Sequence, residues 1–342
     1  MNIIIANGAV KNSGDFLIRD SFVSFFNKNA TINYQSMLYQ DLVNAELENT
    51  SIIFCGGPVF EGKFQKALYK SPHKNCRYIF FGAGSYLFNY SEEFTKMRNP
   101  LKLEHLAVRD NLTKKVFGLA DATVTGCSAS YKRSSMKILR TNRKIAISAP
   151  QRYDYFPYTS SLIKHLQSQG YRVSVFFNRG WDKSIYTSGL TQMQTAKFVN
   201  KLINDGIDIV DASGHDGMAS YDGYDMHIGF RLHSHYYFLQ NGVPSKLLVE
   251  DSRGLGANQL FDEEIIWPYK FDINISKANA FNSKISASIF RALDSINIRH
   301  KLNKKDIICI DNFLNKPKDF SEKQEELESV GCNFIGKILN GL

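Results

Sequence analysis

The chain has few cysteines and no long apolar segment, and both absences exclude classes of protein. Its five cysteines are scattered over 342 residues without a Cys-x-x-Cys pair, which argues against a disulfide framework and a structural zinc site. No apolar run approaches the ~20 residues of a membrane-spanning helix. The first strand begins without the basic segment of a secretory signal. We therefore expect a cytoplasmic protein whose cysteines are reduced core residues.

Signatures of several ligand classes are missing as well. Histidines and carboxylates do not recur at metal-ligand spacing, so we expect no metal site. There is no nucleic-acid-binding module and no interleaving of basic and aromatic residues that would stack bases, which argues against nucleic acid as a partner. Neither a Walker A loop nor a complete G-x-G-x-x-G motif is present.

Positive charge is in excess and is concentrated in the first half of the chain. The formal net charge is +9, and residues 1–140 contain 18 Lys and Arg against 11 Asp and Glu. Such a field attracts anionic small molecules, acidic glycans or acidic membrane lipid without choosing among them. Peripheral contact with the inner face of the cell membrane is one expectation. The oligomeric state is left open.

Short apolar strands alternate with amphipathic helices in both halves, a pattern typical of parallel sheets covered on both faces. The polar stretch Met136–Lys144 interrupts this pattern before a new strand begins at Ile145. The length also exceeds one comfortable core. We predict an α/β fold with Rossmann-like domains over 1–140 and 141–290, and a helical tail over 291–342 that packs back on the first domain. Ligands of such sheets bind at the carboxyl ends of the strands.

Three glycine-bearing turns follow strands of the first half and predict a rim that lines a ligand. Glycine lets the backbone approach a bound molecule closely, and the acidic residue of the first turn is expected at or near a helix cap. A well-formed capped turn without a ligand is the alternative for the first of them. The candidate rim residues are Asn12, Gly14, Asp15, Gly57, Gly84 and Ser85.

The segment Gly229–His233 places basic side chains where an apolar strand turns into a helix. A helix N-terminus offers unpaired N–H groups and the positive end of the dipole, and a nearby guanidinium binds carboxylate or phosphate in a bidentate way. Arg231 is therefore a candidate anion ligand, and His233 is a candidate proton donor. The alternative is structural: an ion pair for Arg231 and a helix cap for His233.

Other strand ends carry further candidates. Arg109 points either into the cleft or out to solvent, while Arg152 and Arg179 occupy strand ends where an anion-binding side chain would be useful. His215, next to an aspartate, is interpreted as part of a surface loop because adjacent residues rarely face each other. His227 lies within a strand and is interpreted as a core histidine.

Taken along the chain, the glycine-bearing turns, Arg109 and the segment Gly229–His233 resemble the motifs of the polysaccharide pyruvyl transferase family. The resemblance covers residues 1 to about 270, and its specific part is Arg231-Leu232-His233 followed by Gly242-Val243-Pro244. It implies two facing domains of the glycosyltransferase B type. It also implies transfer of an enolpyruvyl group from phosphoenolpyruvate to a sugar of a cell-surface polysaccharide or its lipid-linked precursor, usually closing to a pyruvate ketal. No cofactor is expected beyond this donor substrate.

The resemblance assigns donor binding to Arg231, Leu232 and His233, and less specifically to Arg152. Phosphoenolpyruvate carries a carboxylate and a phosphate, so we expect several cationic groups around it. We expect a protonated His233 at neutral pH to act as general acid, and Asp15 to accept the proton of the attacking hydroxyl. The complete set of expected donor and substrate contacts adds Arg253, Ser252, Arg109 and the rim residues.

The chain departs from the family pattern at two places. Gly126-Cys127-Ser128 stands where many members have Asp-Pro-Ala, and Glu250-Asp251-Ser252-Arg253 stands where many have Tyr-Asp-x-Lys. These departures leave the acceptor open. A nucleotide-sugar-dependent glycosyltransferase of the same fold is one alternative, and a non-catalytic glycan-binding protein is another.

Overall fold

Two parallel sheets form the frame of the molecule. The computed structural model describes residues 2–57, 67–84, 103–134, 143–181, 189–270 and 297–341, and all statements on structure concern these residues. Helices cover both faces of each sheet, so apolar runs such as Ile3–Ile5 and Ile52–Phe54 are buried without alternation. The predicted α/β fold with two facing Rossmann-like sheets and C-terminal helices is confirmed.

The first sheet is built from the first half of the chain. The strands of this half are β1 (Asn2–Asn7), β2 (Gln35–Leu38), β3 (Leu47–Glu48), β4 (Thr50–Cys55), β5 (His73–Lys74), β6 (Arg77–Ala83), β7 (Leu103–Val108) and β8 (Thr123–Val124). The order in the sheet is β2-β1-β4-β6-β7-β8, with every neighbouring pair parallel, while β3 and β5 pair separately. The glycine-bearing turns after β1, β4 and β6 therefore lie at one edge.

The second sheet is built from the second half. Its strands are β9 (Lys144–Ser148), β10 (Arg172–Phe177), β11 (Asp208–Asp211), β12 (Met226–Gly229) and β13 (Ser245–Leu247). Their order is β11-β10-β9-β12-β13, again with parallel pairs only. The strand order reverses between β9 and β12, so their carboxyl ends flank the crevice in which open α/β sheets bind ligands.

Helices connect the strands, and their caps explain where they begin. They are α1 (Ser13–Asn29), α2 (Tyr39–Leu42), α3 (Asn111–Val116), α4 (Phe156–Ser168), α5 (Gly189–Asn204), α6 (Leu232–Gln240), α7 (Ser252–Leu260), α8 (Lys304–Asn315) and α9 (Ser321–Asn340). Asn12 caps α1 by accepting the N–H of Gly14, at 3.4 Å. Asp15 lies in the first turn of α1, near this cap as expected. Asp110 caps α3 by accepting the N–H of Thr113 at 2.7 Å.

One hydrophobic core runs through both halves of the molecule. It joins α1 residues such as Phe22 to the α6 residue Tyr236 and to residues of the second sheet such as Phe176. The two tail helices pack differently: α9 inserts Phe334 beside Phe81 of β6, whereas α8 packs in the core of the second sheet. The chain thus crosses back to the first half after completing the second. The predicted domain limits stay predictions.

The cysteines are free thiols, as expected from their number and spacing. Cys55, Cys76, Cys127 and Cys309 are buried free thiols, and Cys332 is half-buried. Within the described ranges, no helix has both the length and the hydropathy needed to cross a membrane.

The contact between α9 and the first sheet generates a stability prediction. A Cβ at Gly331 would overlap the Tyr131 hydroxyl and press on the rings of Phe25 and Phe81, so we expect Gly331→Ala to destabilise the protein by about 1–3 kcal/mol. Gly336 lies in the same helix with open space around it, and Gly336→Ala should leave the thermal midpoint unchanged or raise it. Thermal unfolding followed by circular dichroism compares the two. Equal midpoints would contradict the packing of α9 described above.

Candidate active site

A cleft opens between the turn after β12 and the N-terminus of α1. The sequence-predicted residues that line it are Asn12, Gly14, Arg231, Leu232, His233 and Arg253. Residues from both halves of the chain therefore meet at one site.

Arg231 is the N-cap residue of α6, and the sheet fixes its backbone. Its N–H donates to the Ser148 hydroxyl oxygen at 3.0 Å, and its guanidinium donates to the Gln151 side chain at 3.3 Å. No described carboxylate lies within ion-pair distance of this guanidinium, and no side chain caps α6. The structural alternative for Arg231 and His233 is therefore not what the structure contains.

His233 lies in the first turn of α6 and faces the N-terminus of α1. A Cβ at Gly14 would overlap its ring at Nδ1, so only glycine permits this approach. Its Nε2 is buried and has no hydrogen-bond partner among the described residues. Burial and the positive charges of nearby arginines lower the pKa of His233 well below its usual value. The expected imidazolium at neutral pH is therefore corrected: without a ligand, His233 is neutral.

Arg109 contributes a second buried nitrogen without a partner. Its side chain is 3% exposed and lies over Gly84, where a Cβ would overlap the guanidinium. The Nε atom donates to Asp110 at 3.3 Å, while Nη2 has no hydrogen-bond partner in the described part of the chain. The charge of Arg109 is close enough to lower the pKa of His233. Arg109 therefore does not point out to solvent, but it is not among the residues that line the cleft.

Arg253 enters the site already paired with a carboxylate. Asp251 caps α7 by accepting the Arg253 N–H at 2.9 Å, and its carboxylate also contacts the guanidinium at 2.5 Å and 3.0 Å. Burial would lower the pKa of Arg253, yet the Asp251 carboxylate raises it overall, so Arg253 stays charged. Ser252, between them, is buried in the first turn of α7.

Glu250 adds a buried negative charge that the sequence analysis did not single out as a functional residue. Burial raises its pKa, and its carboxylate accepts the backbone N–H groups of Gln151 at 3.0 Å and Arg152 at 2.5 Å. Its charge also opposes the fall in the pKa of Arg231, which burial lowers to about 10. Glu250 thus shapes the turn after β9 and partly neutralises the cleft.

Asp15 lies in the first turn of α1, beside the lining residues Asn12 and Gly14. Burial raises its pKa, while a hydrogen bond from Asn12 and the charges of Arg179, Arg231 and Arg253 act against that rise. A carboxylate with a raised pKa accepts protons more readily than an exposed one. Arg179 also acts on Arg231 and His233, so it belongs to the positive surroundings of the cleft.

The remaining predicted residues lie away from the lining. The guanidinium of Arg152 pairs with Asp154 at 3.0 Å and is not part of the lining. The Gly57 carbonyl accepts the N–H of Gly84 at 3.1 Å, which brings two rim glycines together in the first domain. Ser85 lies outside the described residues.

A buried polar cluster joins the two halves next to the cleft and was missed by the sequence analysis. The Asn178 amide donates to Ser13 of α1 at 3.2 Å and to Ser234 of α6 at 3.0 Å, and its oxygen accepts the Tyr221 hydroxyl at 2.9 Å. Isolated Asn and Ser residues carry no sequence signal for such a cluster, because their partners are distant in the chain.

His215 and His227, the two other histidines considered from the sequence, differ in burial. His215 is exposed as expected, but its ring contacts both Asp216 at 2.9 Å and Asp20 at 3.3 Å, so the expectation that adjacent residues would not face each other is wrong here. His227 is a fully buried core histidine, as interpreted from the sequence. No group of His, Cys, Asp and Glu suited to a metal ion occurs in the described ranges.

Comparison with known proteins gives a family and a set of similar structures. The sequence profile named Polysaccharide pyruvyl transferase matches residues 12–252. No curated protein matches the chain significantly. A UDP-GlcNAc 2-epimerase of Methanocaldococcus jannaschii, solved with UDP-GlcNAc and UDP, is 10% identical with a TM-score of 0.46, over 92% of this chain and 99% of that one. A Listeria monocytogenes protein described as a UDP-N-acetylglucosamine 2-epimerase is 9% identical with a TM-score of 0.47, over 93% and 98%.

The electrostatics of the cleft can be tested on the unliganded protein. Arg231→Met removes one positive charge near His233, so we expect the pKa of the His233 ring to rise. His227 is the matched internal control, because burial alone lowers its pKa to about 3 and the substitution should leave it there. Nuclear magnetic resonance of the histidine rings across pH reports both groups. An unchanged or lower pKa of His233 would contradict the described charge arrangement.

Proposed function

This chain belongs to the polysaccharide pyruvyl transferase family, and we propose that it transfers the enolpyruvyl group of phosphoenolpyruvate to a sugar hydroxyl. The acceptor is a cell-surface polysaccharide or its lipid-linked precursor, and the product is a pyruvate ketal. Membership of a transferase family places the protein among enzymes. The donor, the acceptor and the roles of individual residues are the content of the proposal.

One observation carries most of the weight: two buried nitrogen atoms, Nε2 of His233 and Nη2 of Arg109, lack hydrogen-bond partners in the described part of the chain. Buried polar groups are nearly always satisfied, and an unsatisfied group costs roughly 1–3 kcal/mol. Arg231 and Arg253 line the cleft beside His233, and the charge of Arg109 acts on the same histidine. A small ligand with several anionic oxygens would supply the missing acceptors.

Phosphoenolpyruvate fits this requirement because its carboxylate and phosphate lie on one three-carbon framework. The N–H groups in the first turn of α6 and the guanidinium of Arg231 bind one anionic group, and Arg109 with Arg253 binds the other. Both groups are then held in a cleft that excludes much of the water, where such contacts are stronger than in solution. The three-carbon unit is placed beside the ring of His233.

The chemical step conserves atoms and charge as follows. His233 gives a proton to the methylene carbon of the donor, and the neighbouring carbon becomes oxocarbenium-like. The sugar hydroxyl oxygen attacks that carbon, and its proton passes to the Asp15 carboxylate. The bond between this carbon and the phosphate oxygen then breaks as Asp15 passes its proton to that oxygen, and inorganic phosphate leaves. A second sugar hydroxyl attacks the same carbon and closes the ketal, and its proton passes to the neutral His233, which restores the acid.

Donor binding must first protonate His233, because the ring is neutral in the empty cleft. The arginines Arg253, Arg109, Arg231 and Arg179 lower its pKa, and the negative charges of the bound donor oppose them directly. The same anion that is to be activated therefore raises the pKa of the acid that activates it. Protonation in the absence of donor is suppressed.

We place transfer in the cytoplasm, with peripheral contact between the positive first half and the acidic inner surface of the membrane. The excess of Lys and Arg over residues 1–140 favours such contact, and a lipid-linked acceptor would be presented there.

A phosphate-release assay tests the role of His233. With phosphoenolpyruvate and a panel of lipid-linked and free glycans, we expect the wild type to release inorganic phosphate and His233→Ala to lose about 10²–10⁴-fold in rate, since a general acid is removed. His215→Ala is the control, because this exposed ring is not among the residues that line the cleft and contacts Asp20, Asp216 and Phe16 instead. Turnover in His233→Ala equal to that of the control would remove His233 from the mechanism.

Donor affinity tests the arginines separately. Arg109→Met should weaken phosphoenolpyruvate binding roughly ten- to a hundredfold, because a charge-assisted contact in a buried place is lost. Arg152→Met should have a smaller effect, since that guanidinium is paired with Asp154. Lys201→Met removes one exposed charge and controls for net charge. Isothermal calorimetry measures all three, and a larger loss in Arg152→Met than in Arg109→Met would contradict the assignment.

A further inference from the structure

A chain of hydrogen bonds lies behind the first turn of α6 and has no part in the chemistry described above. Its central member is His227 of β12, which is fully buried. The Nε2 atom of His227 lies 2.8 Å from the Ser148 hydroxyl, and the Nδ1 atom lies 2.7 Å from the Ser245 hydroxyl. Both ring nitrogens are thus engaged by serines from the neighbouring strands β9 and β13.

Both ends of this chain reach α6. The Ser148 hydroxyl oxygen accepts the N–H of Arg231 at 3.0 Å, and the Ser245 hydroxyl contacts Nδ1 of His235 at 2.8 Å. Arg231 and His235 are one helical turn apart, and the N–H of His235 donates to the carbonyl of Arg231. The first turn of the helix is therefore tied to three adjacent strands.

The chain of hydrogen bonds is continuous whichever nitrogen of His227 carries the proton. Burial lowers the pKa of His227 to about 3, so its ring is neutral and carries one proton. With that proton on Nδ1, the ring accepts from the Ser148 hydroxyl and donates to Ser245; with the proton on Nε2, both directions are reversed. In both forms the ring holds the Ser148 oxygen at 2.8 Å, where that oxygen accepts the N–H of Arg231.

The backbone of the turn after β12 packs closely against Ser148. Gly229 passes so close to Ser148 that a Cβ at position 229 would overlap its side chain and backbone. The Ser148 carbonyl also accepts the N–H of Phe230 at 3.1 Å. The serine therefore holds two successive N–H groups of the turn, and its hydroxyl is aimed by His227.

We propose that His227 is a positioning residue that acts through Ser148 to fix the backbone of Arg231 and thereby the anion-binding turn. The inference rests on the proposed function only for the identity of the anion. Its structural content is that one buried imidazole ring, 79 residues along the chain from Ser148, determines the position of the Arg231 backbone from which the guanidinium extends.

Two substitutions of His227 separate positioning from general stability. His227→Gln places an amide near the former Nε2 and keeps a partner for Ser148, whereas His227→Asn places it near the former Nδ1 and keeps a partner only for Ser245. Each variant loses one buried hydrogen bond, so both should lower the thermal midpoint to a similar extent. The readouts are hydrogen exchange of the Arg231 amide and affinity for phosphoenolpyruvate.

We expect faster exchange of the Arg231 amide in His227→Asn than in His227→Gln, with roughly tenfold weaker donor binding in the former. Equal exchange in both variants would overturn the inference. If the wild type does not bind phosphoenolpyruvate, the proposed function fails, but the exchange comparison still decides the inference. Should either histidine variant fail to fold, Ser148→Ala against Ser245→Ala makes the same comparison: the larger effect belongs to Ser148→Ala, and the reverse order overturns the inference.

Discussion

The gathering of positive charge around one neutral imidazole is the constraint on which the rest of this structure depends. Burial lowers the pKa of His233, and the guanidinium groups of Arg253, Arg109, Arg231 and Arg179 lower it further. Like charges in a partly dehydrated cleft repel strongly, and the carboxylates of the site offset this only in part, because Asp251 is already engaged with Arg253. A multiply charged anion is the ligand that this arrangement accommodates.

The fold brings this arrangement about by giving α6 two roles. Its N-terminus carries Arg231 and His233 into the cleft, while buried residues further along the helix, such as Tyr236 and Phe238, belong to the core shared with α1. Gly14 makes the close approach between His233 and α1 possible. The same helix thus contributes both to the core shared by the two halves and to the lining of the cleft.

The sequence predicted the fold, and it predicted that Arg231 and His233 lie together at a strand-to-helix turn, because both depend on local patterns. Buried parallel strands are apolar throughout, and a strand-to-helix turn with Arg and His is visible over five residues. The edge strand β2 escaped notice because it is short and half-exposed. The neutral state of His233 could not be predicted, since it results from burial and from arginines that lie far apart in the chain. The same applies to Asn178 and Glu250, whose partners are set by tertiary structure.

The most direct test of the account is the protonation state of His233 with and without phosphoenolpyruvate. Nuclear magnetic resonance of ¹⁵N-labelled histidine rings at neutral pH distinguishes imidazole from imidazolium. The account predicts a neutral ring in the free protein and a protonated ring once the donor is bound. A ring that is already charged without the donor, or one that stays neutral in the donor complex, would contradict it.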